Sequence, residues 1–116
     1  MQIEVKGRNT QVTEELREHV ERRFGKVAKQ VSELARLEVE LAEERNPAIE
    51  LPLSAEATLY LKGVTLRAKD RARDLKHAVN LVEEELCRQV KRDRDKRRKR
   101  REARAASLRG GVSPAA

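Results

Sequence analysis

The apolar periodicity of this chain stops at Val90, although the chain runs on to Ala116. Upstream, short apolar repeats of period two and of period three to four alternate with turn signals. Residues 91–116 offer almost nothing that a core could bury. The folded unit is therefore confined to the first part of the chain, and a polar segment projects from it. With 2% aromatic and 41% charged residues, any core must be aliphatic. A single small domain is all that 116 residues support, and much of its surface stays wet.

Ile3 and Val5 alternate with Gln2, Glu4 and Lys6, and Gly7 is expected to end this first strand. Thr13 is a good helix N-cap, followed by Glu14 and Glu15 where the helix dipole favours anions. Leu16, Val20, Phe24, Val27 and Val31 recur at three and four, a stripe that predicts a helix of about five turns. Gly25 inside it costs about 1 kcal/mol relative to Ala. Leu37, Val39 and Leu41 alternate with charged residues as a second strand, and residues 43–53, with Asn46, Pro47 and Pro52, predict a mobile loop. Two further strands, carrying Ala55, Ala57, Leu59 and Leu61 and then Val64, Leu66 and Ala68, flank a tight Lys62-Gly63 turn.

A second helix is expected to begin between residues 70 and 74, burying Leu75, Val79, Val82, Leu86 and Val90. No Gly or Pro interrupts the chain between Val64 and Gly110, so this helix can outrun its own apolar stripe. Residues 107–116, with Gly110, Gly111 and Pro114, are expected to be disordered. The predicted fold is α+β: a two-layer β-α-β-β-β-α arrangement with a four-stranded sheet and both helices packed on one face. The first crossover should be right-handed and make strands one and two parallel. The other sheet face, with Glu4, Glu38, Glu40, Tyr60 and Lys69 among its residues, is mixed in sign and reads as solvated. Residues 1–96 form the domain on this reading, and residues 97–116 a basic and then flexible tail.

The net charge is +7, and its location matters more than its size. Residues 91–109 hold 11 Lys/Arg against 3 Asp/Glu, which leaves 16 against 17 for the rest of the chain. A near-neutral fold thus carries a strongly cationic extension. Such a block seeks phosphate, the alternative being a solvated tail. Arg88, Lys91, Arg92, Arg94 and Lys96 follow directly from the core stripe, ahead of five consecutive basic residues from Arg97 to Arg101. Isolated, that run repels itself; along a phosphate backbone each cation releases a condensed counterion. On the first helix Arg22, Lys26 and Lys29 share an exposed stripe, flanked by Arg17 and Arg23. Dipole complementation alone accounts for bases near a helix C-terminus, but stacked like charges cost stability unless a polyanion neutralises them.

Other chemistries have little to work with. His19 and His77 stand apart, without metal-ligand spacing or a Ser/His/Asp pattern, and no glycine-rich phosphate loop is present. The lone Cys87 borders the apolar stripe and suits a small core residue in a reducing compartment. No enzyme, cofactor, metal or small-molecule substrate is expected. The N-terminus lacks a secretion signal, and no run approaches the roughly 18 apolar residues that cross a bilayer, so a soluble cytoplasmic protein away from membranes is expected. Phe24 belongs to the core and Tyr60 stands alone, which leaves no aromatic platform for single-stranded bases. Recognition of phosphate arrangement and shape, as structured RNA offers, remains. The rival reading is a protein-interaction module whose basic helix docks on an acidic partner such as a transcription factor subunit.

Met1-Gln2-Ile3 through Gly7-Arg8-Asn9, then Val12-Thr13-Glu14, Leu16-Arg17, Arg23-Phe24 and Lys26, resemble the start of the ribosome hibernation promoting factor family, also called ribosome-associated inhibitors or sigma-factor modulation proteins. Leu59 to Gly63, Ala68, Asp74-Leu75, Ala78-Val79, Leu86, Arg88-Gln89-Val90 and Asp95-Lys96 are similar to its closing hairpin and helix. The likeness covers about residues 1–96. It implies a fold related to double-stranded RNA-binding domains, and binding to small-subunit ribosomal RNA in the decoding channel, where the protein blocks messenger and tRNA; the isolated chain is expected to be a monomer. It also implies RNA contact by Arg17, Arg23, Lys26, Arg88, Lys91, Arg92 and Lys96. The chain departs from the family pattern at Lys76-His77, where an aromatic and a small residue are usual, and at Asn80, where an aspartate is usual. Longer members carry a second domain after a linker; whether this chain is a short member or ends within such a linker is open.

Overall fold

The computed structural model describes residues 1–46 and 48–110, in the order β1 (Gln2–Arg8), α1 (Glu14–Ala28), β2 (Arg36–Glu43), β3 (Leu53–Leu61), β4 (Val64–Ala72) and α2 (Leu75–Gly110). The strands form one sheet in the order β1-β2-β3-β4, with β1 and β2 parallel and the other neighbours antiparallel. Period-two patterning fixes the register. Ile3 and Val5 lie beside Leu37 and Val39, which lie beside Leu59 and Ala57, and these beside Leu66 and Ala68. One sheet face is therefore aliphatic from edge to edge, and α1 and α2 cover it with Val20, Phe24, Val27, Val79, Val82 and Leu86, all fully buried. Ala55, Ala57, Ala68 and Ala72 form a low floor under α2, where their small side chains let the helix approach the strands.

The element ends differ from the sequence expectation in five places, the first being that Glu43 and Leu53, expected in the loop, pair with each other at the ends of β2 and β3. β1 does not stop at Gly7 but runs to Arg8, which still pairs with Ala42; glycine suits position 7 because a side chain there would collide with the Thr10 carbonyl in the turn that follows. α1 ends at Ala28, before Val31: the Gln30 N–H closes back on the Val27 carbonyl at 2.9 Å, a tightened last turn, and Val31 packs at the rim of the core. β4 pairs with β3 along its whole length, so residues up to Ala72 are committed to the ladder and α2 opens only at Leu75. The Lys76 N–H then reaches Asp74 Oδ1 at 3.4 Å. Finally, α2 continues through residues 107–110, which were expected to be disordered; Ala103, Ala105 and Ala106 favour helix there. The remainder of that expected tail, residues 111–116, lies outside the described residues.

The hairpin turn places Gly63 at φ +81°, with Lys62 outside the positive-φ region, as in a type II turn. Beyond Val90, α2 leaves the sheet behind. At 1.5 Å per residue it continues for roughly 30 Å, and the molecule measures 70 × 30 × 17 Å. Its radius of gyration, 18.9 Å, far exceeds the roughly 13 Å of a compact chain of this length.

Candidate nucleic-acid interface

α1 and α2 lie side by side and run in the same direction. Glu15 pairs with Lys76, His19 Nε2 lies 2.8 Å from Asn80 Oδ1, and Arg23 meets both Glu83 and Glu84 at 3.2 Å. These partners are 60 or 61 residues apart, so a step up one helix is a step up the other. Parallel alignment has an electrostatic consequence. Each helix is acidic early and basic later: Glu14, Glu15 and Glu18 precede Arg22, Lys26 and Lys29, while Glu83, Glu84 and Glu85 precede Arg88, Lys91 and Arg92. The two basic stretches therefore lie next to each other. The dipole of α1 favours its late cations, but α2 ends only at Gly110, so its dipole gives no such help near residue 90.

The structure sorts the ten predicted binding residues. Arg22 and Lys26 on α1 and Lys29 at its C-cap are exposed, as are Arg88, Lys91 and Arg92 on α2. The helix register puts Lys26 beside Cys87 and Gln30 beside Lys91, so these six side chains share one outer surface. Lys96 is exposed further along the same rod. Arg17 is half-buried and lies two residues from His19, about 200° round the helix, on the flank of α1 that faces away from α2. Arg94 is exposed but turned towards a cleft under α2, with Arg97 and Arg101. Arg23 is committed elsewhere: its guanidinium links α1 to the nearly buried Glu83 carboxylate and to Glu84.

Local pairing sets how available each charge is. Arg88 donates to Glu85 from Nε at 3.1 Å and from Nη2 at 2.7 Å. Those hydrogen bonds hold the Glu85 carboxyl below its usual range, with Gln89 helping, and raise the Arg88 guanidinium. Both groups are exposed and screened by water, so Arg88 can exchange this pair for a phosphate at little cost. Hydrogen bonding to Lys76 likewise lowers Glu15. Cys87 differs: burial, and then its S–H donation to Glu83 Oε1 at 3.3 Å, push the thiol to about 11, so it stays neutral and is a poor nucleophile. Among the described residues no group of His, Cys, Asp and Glu is arranged to hold a metal ion.

Two of the family departures now have a physical context. Lys76 and Asn80 are both α1 partners, of Glu15 and His19, so they belong to the seam between the helices. Sequence reading missed the role of Arg97, which pairs with Asp93 at 3.0 Å and donates to the Lys62 carbonyl at 2.7 Å. The signal was present: Arg94, Arg97 and Arg101 continue at helical spacing the line that Val90 ends.

Residues 3–98 match the family model described as Sigma 54 modulation protein / S30EA ribosomal protein. The chain is 30% identical over 96 residues to the ribosome hibernation promoting factor of Salmonella typhimurium, a match that covers 83% of this chain and 96% of that protein. It is 29% identical over 97 residues to the ribosome hibernation promotion factor of Picosynechococcus, covering 83% of this chain. With that of Lactococcus lactis the identity is 31% over 96 residues, covering 79%. The chain spans about half the length of these last two relatives, 50% and 49%. Among solved structures, the N-terminal domain of Thermus thermophilus Protein Y superimposes with a TM-score of 0.68 at 27% identity, covering 79% of this chain and 98% of that domain. A ribosomal subunit interface protein from Coxiella burnetii gives 0.68 at 19% identity over 82% and 99%, a likeness of fold.

Proposed function

The chain belongs to the Sigma 54 modulation protein / S30EA ribosomal protein family, and we propose that it is a ribosome-bound inhibitor of translation that plugs the decoding channel of the small subunit. The observation that carries this reading is the parallel seam. It joins the basic stretches of two helices into one cationic surface on a near-neutral body and prolongs it along a rod. Arg22, Lys26, Lys29, Arg88, Lys91, Arg92 and Lys96 are the proposed contacts to ribosomal RNA. Arg17 reaches RNA only at the flank of that surface, Arg94 faces the cleft under α2 instead, and Arg23 keeps the two helices in register.

The mechanism is occlusion, not chemistry. A surface of fixed helices holds its cations at fixed separations, so it selects an arrangement of phosphates and not a base sequence. Bound between the head and body of the subunit, a wedge 30 Å by 17 Å across excludes messenger and tRNA by volume. Binding in that channel is tested by competition. Small subunits carrying tRNA in the P site are expected to exclude the protein, and saturating protein to exclude tRNA. Independent binding of both to one subunit would remove the channel placement.

A further inference from the structure

Under the overhang of α2 a cleft of about 620 Å³ opens, on a side of the rod away from Arg92. Its walls are the 30–35 link between α1 and β2, the β3–β4 turn, and α2 from Val90 to Arg101. Val31, Ala35, Leu61 and Val90 make the floor apolar. At its mouth Leu34 is 94% exposed, the most exposed large aliphatic among the described residues. That exposure is held by backbone geometry: the Leu34 N–H donates to Ser32 Oγ at 3.1 Å and the Ala35 N–H to the Ser32 carbonyl at 3.0 Å. A leucine fixed in water beside an apolar cleft marks a contact surface.

The rim selects the occupant. Lys62, Arg94, Arg97 and Arg101 line the cleft against one acid, Asp93, which Arg97 already pairs. We propose that this cleft docks a protein segment in which large apolar side chains are flanked by Asp or Glu. The apolar side chains would cover Leu34 and the floor, and the acids would meet the arginines. A nucleobase fits the same space less well, because the neutral polar side chains that would read its edges are already engaged. Gln30 Nε2 donates to the Lys26 carbonyl and Ser32 Oγ accepts from Leu34. One face of Tyr60 is also taken, by the Arg36 guanidinium 4.5 Å from its ring centroid, and its hydroxyl donates to Glu38. The inference does not rest on the RNA reading, since none of Arg22, Lys26, Lys29, Arg88, Lys91, Arg92 and Lys96 lines the cleft.

Fluorescence anisotropy with a short labelled peptide, rich in Asp and Glu around a Leu pair, tests it on the full chain. The peptide is expected to bind, and a version with Ser in place of both leucines to bind at least about tenfold more weakly, a difference of roughly 1.4 kcal/mol. Leu34→Ser, at a position outside the core, should weaken the leucine peptide several-fold and leave binding of a labelled structured RNA hairpin unchanged. Equal binding of the two peptides, or no binding of the leucine peptide, would overturn the proposal. So would an unaltered affinity in Leu34→Ser. Displacement of the peptide by the hairpin, with hairpin affinity lost in Leu34→Ser, would assign the cleft to RNA instead.

Discussion

Arg23 illustrates how a residue's charge and its role separate once partners are known. Its guanidinium faces a Glu83 side chain that is 4% exposed, so removing it strands a carboxylate with little water. Arg23→Ala is expected to lower stability by about 2–4 kcal/mol, read from the urea midpoint, because breaking a buried pair from one side is costly. Arg23→Leu/Glu83→Leu together should recover most of that loss; if the single change is neutral, the link between the helices is unimportant. The neighbouring Cys87 gives a chemical readout of the same pocket. With its thiol at about 11, alkylation by iodoacetamide should be slow at pH 8 and accelerate only towards pH 11. A rate that already levels off by pH 9 would contradict the burial and the contact with Glu83.

At the scale of elements, the strands and the hairpin were legible because a period of two leaves one register for a one-sided sheet. Helix ends were not. The spacing of Val27 and Val31 continues a stripe, but the chain turns at Ala28, and nothing local distinguishes the two outcomes. The parallel seam was illegible for a stronger reason: Glu15, His19 and Arg23 find partners about 60 residues away, which no window along the chain contains. The charge gradient on each helix could be read, yet its doubling needed the helices to be aligned. Gly25 tests the first helix directly. A methyl group there meets nothing within 4 Å, so Gly25→Ala should stabilise the fold by about 0.4–1 kcal/mol in a thermal or urea melt. Acid tests the seam and the Arg88 pair. Glu15 and Glu85 titrate below the ordinary carboxylate value of 4.5, so their pairs stabilise the fold above that value. That contribution fades as pH falls through the lower folded values. Loss of the Glu15–Lys76 contact should appear in amide shifts of α1 only at pH values below the ordinary carboxylate value of 4.5.

The whole molecule is a thin aliphatic two-layer body from which a cationic helix projects, and the body fixes the direction of that helix. Val90 is the hinge between the two roles: before it α2 supplies core, after it charge. The division predicts that stability and binding can be changed separately. Lys91, Arg92 and Lys96 are exposed and none takes part in an ion pair among the described residues, so replacing all three with Gln should leave the melting temperature nearly unchanged. Co-sedimentation with purified small ribosomal subunits from low to high salt then measures what those charges do. With six to eight phosphate contacts, log affinity should fall with log salt at a slope of about −4 to −7 for the unaltered chain. For the triple variant the slope should be shallower by about 2–3, with weaker binding at every salt concentration. Identical affinity and slope for the two proteins would contradict a helix that grips RNA through its phosphates.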